Sequence, residues 1–257
     1  MHLRRDTSCR GKTVSVPING ELTMRTHLVL SGLFSAALAF APQIAHATPT
    51  TSTVDNAIAA LSSSVTTTSH PEALRKAIQA YYNFKTAHPD QVRNPYFYFV
   101  DYGLSKRTPR GYVFNMEQKK LVEGPFIAAA GRGSSENAKG VPTRFSNGSG
   151  SGATSLGLYV TKGTYAFTGH SGGSLYRSIG LRLNGVSGRF NDRALARGVV
   201  VHGAPYVTTS GSGRSLGCPA MDQARARRLI PKIANGGLVF LFSPNDSPWM
   251  NSDPWAA

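Results

Sequence analysis

Tyr96-Phe97-Tyr98-Phe99-Val100-Asp101-Tyr102 is the stretch on which the fold turns. It is a short run of aromatic and β-branched residues behind Pro95, and such a run reads as a strand. The alternative, a platform of rings for stacking sugars, is the weaker explanation, because strand aromatics ordinarily face a core. Runs of the same texture follow at Gly111 to Met116, Leu121 to Ala129, Leu156 to Thr161 and Ile179 to Leu183, divided by glycines. Two more, Gly198 to His202 and Leu238 to Phe242, flank one helical segment from about Asp222 to Ala234, which Asp222 can cap and Gly236-Gly237 can end. Many short strands with few helices predict a mainly β domain, a sandwich or barrel, over residues 94–243.

Upstream, Leu74, Ile78, Tyr81 and Tyr82 recur at helical spacing behind Ser69-His70-Pro71-Glu72, which has the form of a capping box. One N-terminal helix is expected within 71–93. Residues 48–70 are rich in Ser and Thr and read as a flexible tether. Before them, Leu28 to Phe40 is an apolar run followed by the small-x-small signal Ala45-His46-Ala47, so residues 1–47 read as a secretory signal peptide, with Met24 as an alternative start. The run falls short of the ~20 residues that span a bilayer, which argues against a lasting transmembrane anchor. The tail 244–257 holds Trp249 and Trp255, which either hang free or dock on the body.

Export places the chain in the periplasm or cell envelope and changes two counts. Cys9 is lost, leaving Cys218 as the sole cysteine, and a single thiol in an oxidising compartment is either a working group or a buried inert one. Five basic and two acidic residues are also lost, so the net charge falls from +15 to +12. Such a surface suits anionic envelope polymers. Nucleic acid fits less well, because the basic residues are dispersed and no aromatic platform is interleaved with them.

The chemistry concentrates in Val199-Val200-Val201-His202-Gly203 and Gly211-Ser212-Gly213-Arg214-Ser215-Leu216-Gly217-Cys218-Pro219-Ala220. An apolar strand delivers a histidine, and a glycine-rich loop delivers the cysteine sixteen positions later. A cysteine nucleophile needs a neighbouring imidazole or a helix N-terminus to favour its thiolate, and both are in prospect here. Backbone N–H groups of Gly217 and Cys218 are candidates to hold the oxyanion formed when the thiolate attacks a carbonyl. No histidine follows His202, which excludes the papain order of cysteine before histidine. A zinc site is not expected, since His70, His88, His170, His202 and Cys218 form no close ligand pair.

These two segments resemble the active-site signature of the YkuD-type L,D-transpeptidases, in the branch called the murein L,D-transpeptidase catalytic domain family. The similarity extends through Arg144-Phe145-Ser146-Asn147, Thr154-Ser155-Leu156-Gly157-Leu158-Tyr159-Val160-Thr161, Ser174-Leu175 and Asn191-Asp192-Arg193-Ala194. The resemblance implies a YkuD-like β catalytic domain that needs no cofactor and acts on peptidoglycan stem peptides. Cys218 would form an acyl-enzyme, resolved by an amine as a cross-link or by water in L,D-carboxypeptidase action, and carbapenems would acylate it. Carried over by position, His202 is the acid-base and Gly203 supplies the carbonyl that orients it. Ser215 and Gly217 shape the nucleophile loop, and Arg214 is a candidate for the substrate carboxylate. Outside the matched positions, Arg182 is an alternative for that carboxylate and Tyr206 a candidate pocket residue. His170, between Gly169 and Ser171, reads as a loop histidine rather than a second base, its polar setting keeping it a candidate for the cleft. Relatives place histidine where Leu216 stands and arginine near Pro219-Ala220, departures that keep open a wall-binding protein without catalysis. Relatives also place a histidine near Ala130, and its absence leaves that loop without an expected role.

Overall fold

The computed structural model describes residues 51–257. The expected signal peptide over 1–47 lies outside the described residues. Much of the expected tether does not: Thr51–Leu61 is a helix, α1. Val54, Ala57 and Leu61 recur at three- and four-residue spacing and are buried, with Ile58 packed beside them, so the short apolar patch at Ala57 to Leu61 together with Val54 docks this segment on the body. It packs on α2, Ala73–Ala87, and Arg75 pairs with Asp55 at 2.8 Å. The expected capping box does not form. Glu72 is the residue before the helix and makes no side-chain cap, while Ser69 donates through N and Oγ to the Asp101 carboxylate at 2.7 and 2.6 Å.

The strands are β1 (Tyr96–Asp101), β2 (Gly111–Asn115), β3 (Lys120–Phe126), β4 (Gly157–Ser171), β5 (Ser174–Gly185), β6 (Val200–Gly203), β7 (Val207–Thr208), β8 (Gly211–Ser212), β9 (Ala220–Met221) and β10 (Leu238–Phe242). Eight of them form one mixed sheet in the order β3-β2-β1-β10-β4-β5-β6-β9, with β1–β10 and β6–β9 parallel. Its two ends meet: Ala129, just beyond β3, bridges Ala220 of β9 through N–H···O bonds of 2.8 and 3.3 Å. That closure gives the sheet a barrel-like form and removes an open edge next to the cysteine loop. The domain is mainly β, as the strand spacing predicts.

Strand β1 is buried along both faces, with Phe97, Tyr98, Phe99 and Val100 fully enclosed, so its rings are core rather than a surface for sugars. The expected strands at 156–161 and 179–183 are only the inner parts of a long hairpin, β4–β5. Its outer half alternates exposed Thr164, Ala166 and Thr168 with half-buried Tyr165 and Phe167, and offers no apolar run longer than Tyr165-Ala166-Phe167 to betray it.

Helix α3, Gln223–Ile233, begins where Asp222 accepts the Arg225 N–H at 2.9 Å, and it ends before Gly236, whose φ of +101° favours glycine. The tail docks on the body. Trp249, in the short helix α4 (Ser247–Met250), is fully buried beside Phe240 and Phe242. Trp255 donates Nε1 to the Val186 carbonyl at 2.6 Å and sets its ring edge-on to Phe84. Among the described residues no helix is long and apolar enough to cross a membrane.

Candidate active site

The parallel pairing of β6 with β9 closes the gap between histidine and cysteine. His202 stands opposite Ala220 and takes the Pro219 carbonyl on its N–H at 3.3 Å, so Cys218 lies two positions before the residue facing His202. The intervening chain folds away through the β7–β8 hairpin.

His202 is 2% exposed and its ring stacks on Phe167 with centroids 4.3 Å apart. Nδ1 lies 3.1 Å from the Gly203 carbonyl oxygen and 3.4 Å from the Tyr176 hydroxyl. A carbonyl can only accept, so the proton sits on Nδ1, and Nε2 keeps its lone pair. Burial drives the imidazole pKa down from 6.5 to about 4, against the opposing effect of the Gly203 bond. Burial also raises the pKa of the Cys218 thiol, which is opposed by the Val200 N–H and the charge of Arg197. At neutral pH both groups therefore rest uncharged, which suits a base that removes the thiol proton during attack better than a preformed ion pair. The thiol is half-buried, with Sγ 3.9 Å from the Gly198 carbonyl oxygen.

Histidine burial also fixes a pH dependence of stability. The unfolded chain takes this proton near pH 6.5 and the folded chain only near 4, so stability falls as pH drops through that window. At pH 4.5 the loss attributable to His202 is on the order of 2–3 kcal/mol, by linkage between the folded and unfolded proton affinities. Urea unfolding at pH 7.5 and 4.5 checks it. The wild type should lose that much more than His202→Gln, and equal losses would contradict the assignment.

The loop bearing Cys218 is braced from within and below. Ser215 Oγ donates to the Cys218 carbonyl at 2.6 Å and accepts the Gly217 N–H at 3.1 Å. Thr154 Oγ1 donates to the Gly217 carbonyl at 3.1 Å, and Ser215 exchanges backbone bonds with Ala130 and Arg132. This corrects one expectation: the Gly217 N–H is held by Ser215 and does not face a reacting carbonyl. The Cys218 N–H, without a partner among the described residues, remains the donor of that pair. The expected helix N-terminus is also not what tunes the thiol. Strand β9 separates Cys218 from α3, and Asp222 already caps that end.

Cys218 opens on two recesses. The larger, about 630 Å³, is lined by His202, Tyr206, His170, Arg214, Ser215 and Tyr176 among others. The smaller, about 320 Å³, lies along Ser149, Gly150, Gly152 and Val199. Arg132, Arg197, Leu216 and Cys218 border both. The structure thus gathers His202, Cys218, Tyr206, His170, Arg214 and Ser215, with Gly203 behind the imidazole and Gly217 buried under the loop. Arg182 is not among the lining residues; its guanidinium lies over the Tyr165 ring at 4.3 Å. Arg132, Arg197, Phe167 and Tyr176 are additions that motif reading does not reach. The loop after Ala130, left without a role by its missing histidine, enters the site through Arg132. Among the described residues no group of three His, Cys, Asp or Glu side chains is placed to hold a metal ion.

A family model described as the L,D-transpeptidase catalytic domain matches residues 66–242. No curated protein matches the chain. Solved structures similar to it include an L,D-transpeptidase from Xylanimonas cellulosilytica, at 18% identity and a TM-score of 0.34 over 58% of this chain and 61% of that one. An L,D-transpeptidase from Mycobacterium smegmatis is 13% identical, with a TM-score of 0.35 over 58% of each chain. One from Stackebrandtia nassauensis is 16% identical, with a TM-score of 0.36 over 68% of this chain and 69% of that one. The chain spans about three fifths of the length of the first two.

Proposed function

The chain belongs to the L,D-transpeptidase catalytic domain family, and on that premise we propose that it is a peptidoglycan L,D-transpeptidase acting through a Cys218 acyl-enzyme. The observation that carries the reading is a cysteine on the border of two recesses, in one groove with a buried histidine whose Nε2 is left as an acceptor. In the first half-reaction Nε2 takes the thiol proton as sulfur bonds to the carbonyl carbon of the L,D peptide bond, and the Cys218 N–H meets the oxyanion. The intermediate collapses to a thioester as imidazolium returns the proton to the leaving amine of the D-residue. In the second, an amine from a neighbouring stem attacks the thioester carbonyl and gives a proton to His202, the C–S bond breaks to expel the Cys218 thiolate, and the imidazolium returns that proton to sulfur, restoring the thiol.

The two recesses favour transfer over hydrolysis, because one can hold the acyl chain while the other admits an amine. L,D-carboxypeptidase action uses the same site with water as acceptor. A wall-binding role without catalysis has less support, since Nε2 and the half-buried thiol stand ready for use. The domain works on stem peptides outside the cytoplasm, in the periplasm or envelope, where its basic surface suits anionic polymers.

Incubating purified protein with tetrapeptide stems should release D-alanine and form cross-linked dimers, and Cys218→Ala should yield neither. Product undiminished in Cys218→Ala, or absent from wild type, would sink the proposal. A carbapenem separates catalysis from mere binding, because an unreactive cysteine forms no covalent adduct.

A further inference from the structure

We propose that Arg132 is the anchor for the terminal carboxylate of the acyl donor, the group just beyond the bond that Cys218 attacks; the assignment rests on the transpeptidase reading. Three arginines and no acidic residue line the larger recess, so the groove selects an anion. The three are not equivalent. Arg197 is committed to the fold: Nη1 donates to the Ser146 carbonyl and Ser155 Oγ, and Nη2 to Ser151 Oγ and the Ala153 carbonyl, at 3.0–3.2 Å. Arg214 is exposed and borders the larger recess alone. Arg132 is exposed, borders both recesses, and its guanidinium has no hydrogen-bond or ion-pair partner among the described residues.

Its base, by contrast, is held hard. Arg132 N donates to the Ser215 carbonyl at 2.8 Å and Gly133 N to the Gly152 carbonyl at 2.9 Å, while Gly131 N donates to Thr154 Oγ1 at 2.9 Å. Both neighbours are compelled to be glycine. A Cβ at Gly131 would stand 2.3 Å from the Gly152 oxygen, and one at Gly133 only 2.0 Å from the Ser151 oxygen. A free, permanently charged fork on a fixed stem, next to the nucleophile, is what bidentate carboxylate recognition requires. It also supplies the carboxylate contact that Leu216 and Pro219-Ala220 leave unassigned.

The test is binding of a tetrapeptide stem and of its C-terminal amide to protein carrying Cys218→Ala, which separates recognition from turnover. The acid should bind on the order of ten- to a hundredfold more tightly than the amide, as one charge-assisted pair provides. Adding Arg132→Gln should abolish that preference while leaving amide affinity and melting temperature unchanged, and Arg132→Lys should restore part of it. No acid preference in the parent, equal loss for acid and amide, or collapse of the preference only with Arg214→Gln would overturn the assignment. Failure of wild-type protein to release D-alanine would count against the transpeptidase reading alone, since the acid-to-amide ratio is read without catalysis.

Discussion

His202→Gln lowers kcat/KM for D-alanine release by on the order of 10²–10⁴-fold, the usual contribution of a positioned general base. The expectation is specific because both partners rest neutral. The thiol pKa is raised by burial, so little thiolate exists for a variant to fall back on. The imidazole is depressed to about 4, so it stays an unprotonated acceptor far below neutrality. The acid limb of kcat/KM in the wild type should accordingly lie near pH 4, where an exposed histidine would put it near 6.5. Alkylation of Cys218 by iodoacetamide, followed against pH in wild type and variant, gives a second reading. A variant that retains full rate, or a wild-type limb at pH 6.5, would remove His202 from the base's role.

Gly131→Ala has the next largest effect, and its mechanism is purely geometric. The new Cβ would lie 2.3 Å from the Gly152 oxygen and 2.6 and 2.8 Å from Cα and N of Gly217. All three are backbone atoms, so no side chain can turn aside, and the segment under Cys218 must move. Thr154 spans this contact, accepting from Gly131 N and donating to the Gly217 carbonyl, which passes the shift to the nucleophile. A displacement of about 1 Å costs on the order of 10²-fold in rate, while local overpacking costs typically ~1–3 kcal/mol of stability. Turnover should therefore collapse in protein that still folds. Gly163→Ala is the control: its Cβ meets nothing closer than 3.9 Å, and neither activity nor melting should change. Unaltered turnover in Gly131→Ala would show that the cysteine loop is not held from below.

What the sequence disclosed and what it hid differ for physical reasons. The inner strands were legible because a buried strand is a run of large apolar residues, as in β1 and β10. The outer half of β4–β5 was not, since its apolar face, Tyr165, Phe167 and Tyr176, the latter two against His202, is spaced by polar and glycine residues and forms no long apolar run. Helix α1 was masked by its surroundings, because its short apolar patch, Ala57 to Leu61, lies between serine- and threonine-rich stretches on both sides. The His202 and Cys218 pair was visible from residue type and order. Arg132 was not, because its significance lies in what it lacks, a partner, and in two recesses that the chain assembles from distant segments. Ser69 and Gly217 show the opposite failure: each matched a local pattern, a capping box and an oxyanion donor, yet each made a competing bond instead.

Intact mass of acid-quenched protein after brief incubation with a tetrapeptide stem shows whether Cys218 carries the acyl group. A mass gain equal to the tripeptide acyl group, mapped to Cys218 and absent from Cys218→Ala, is the expected result. No gain, or the same gain in Cys218→Ala, would show that Cys218 is not the acyl carrier.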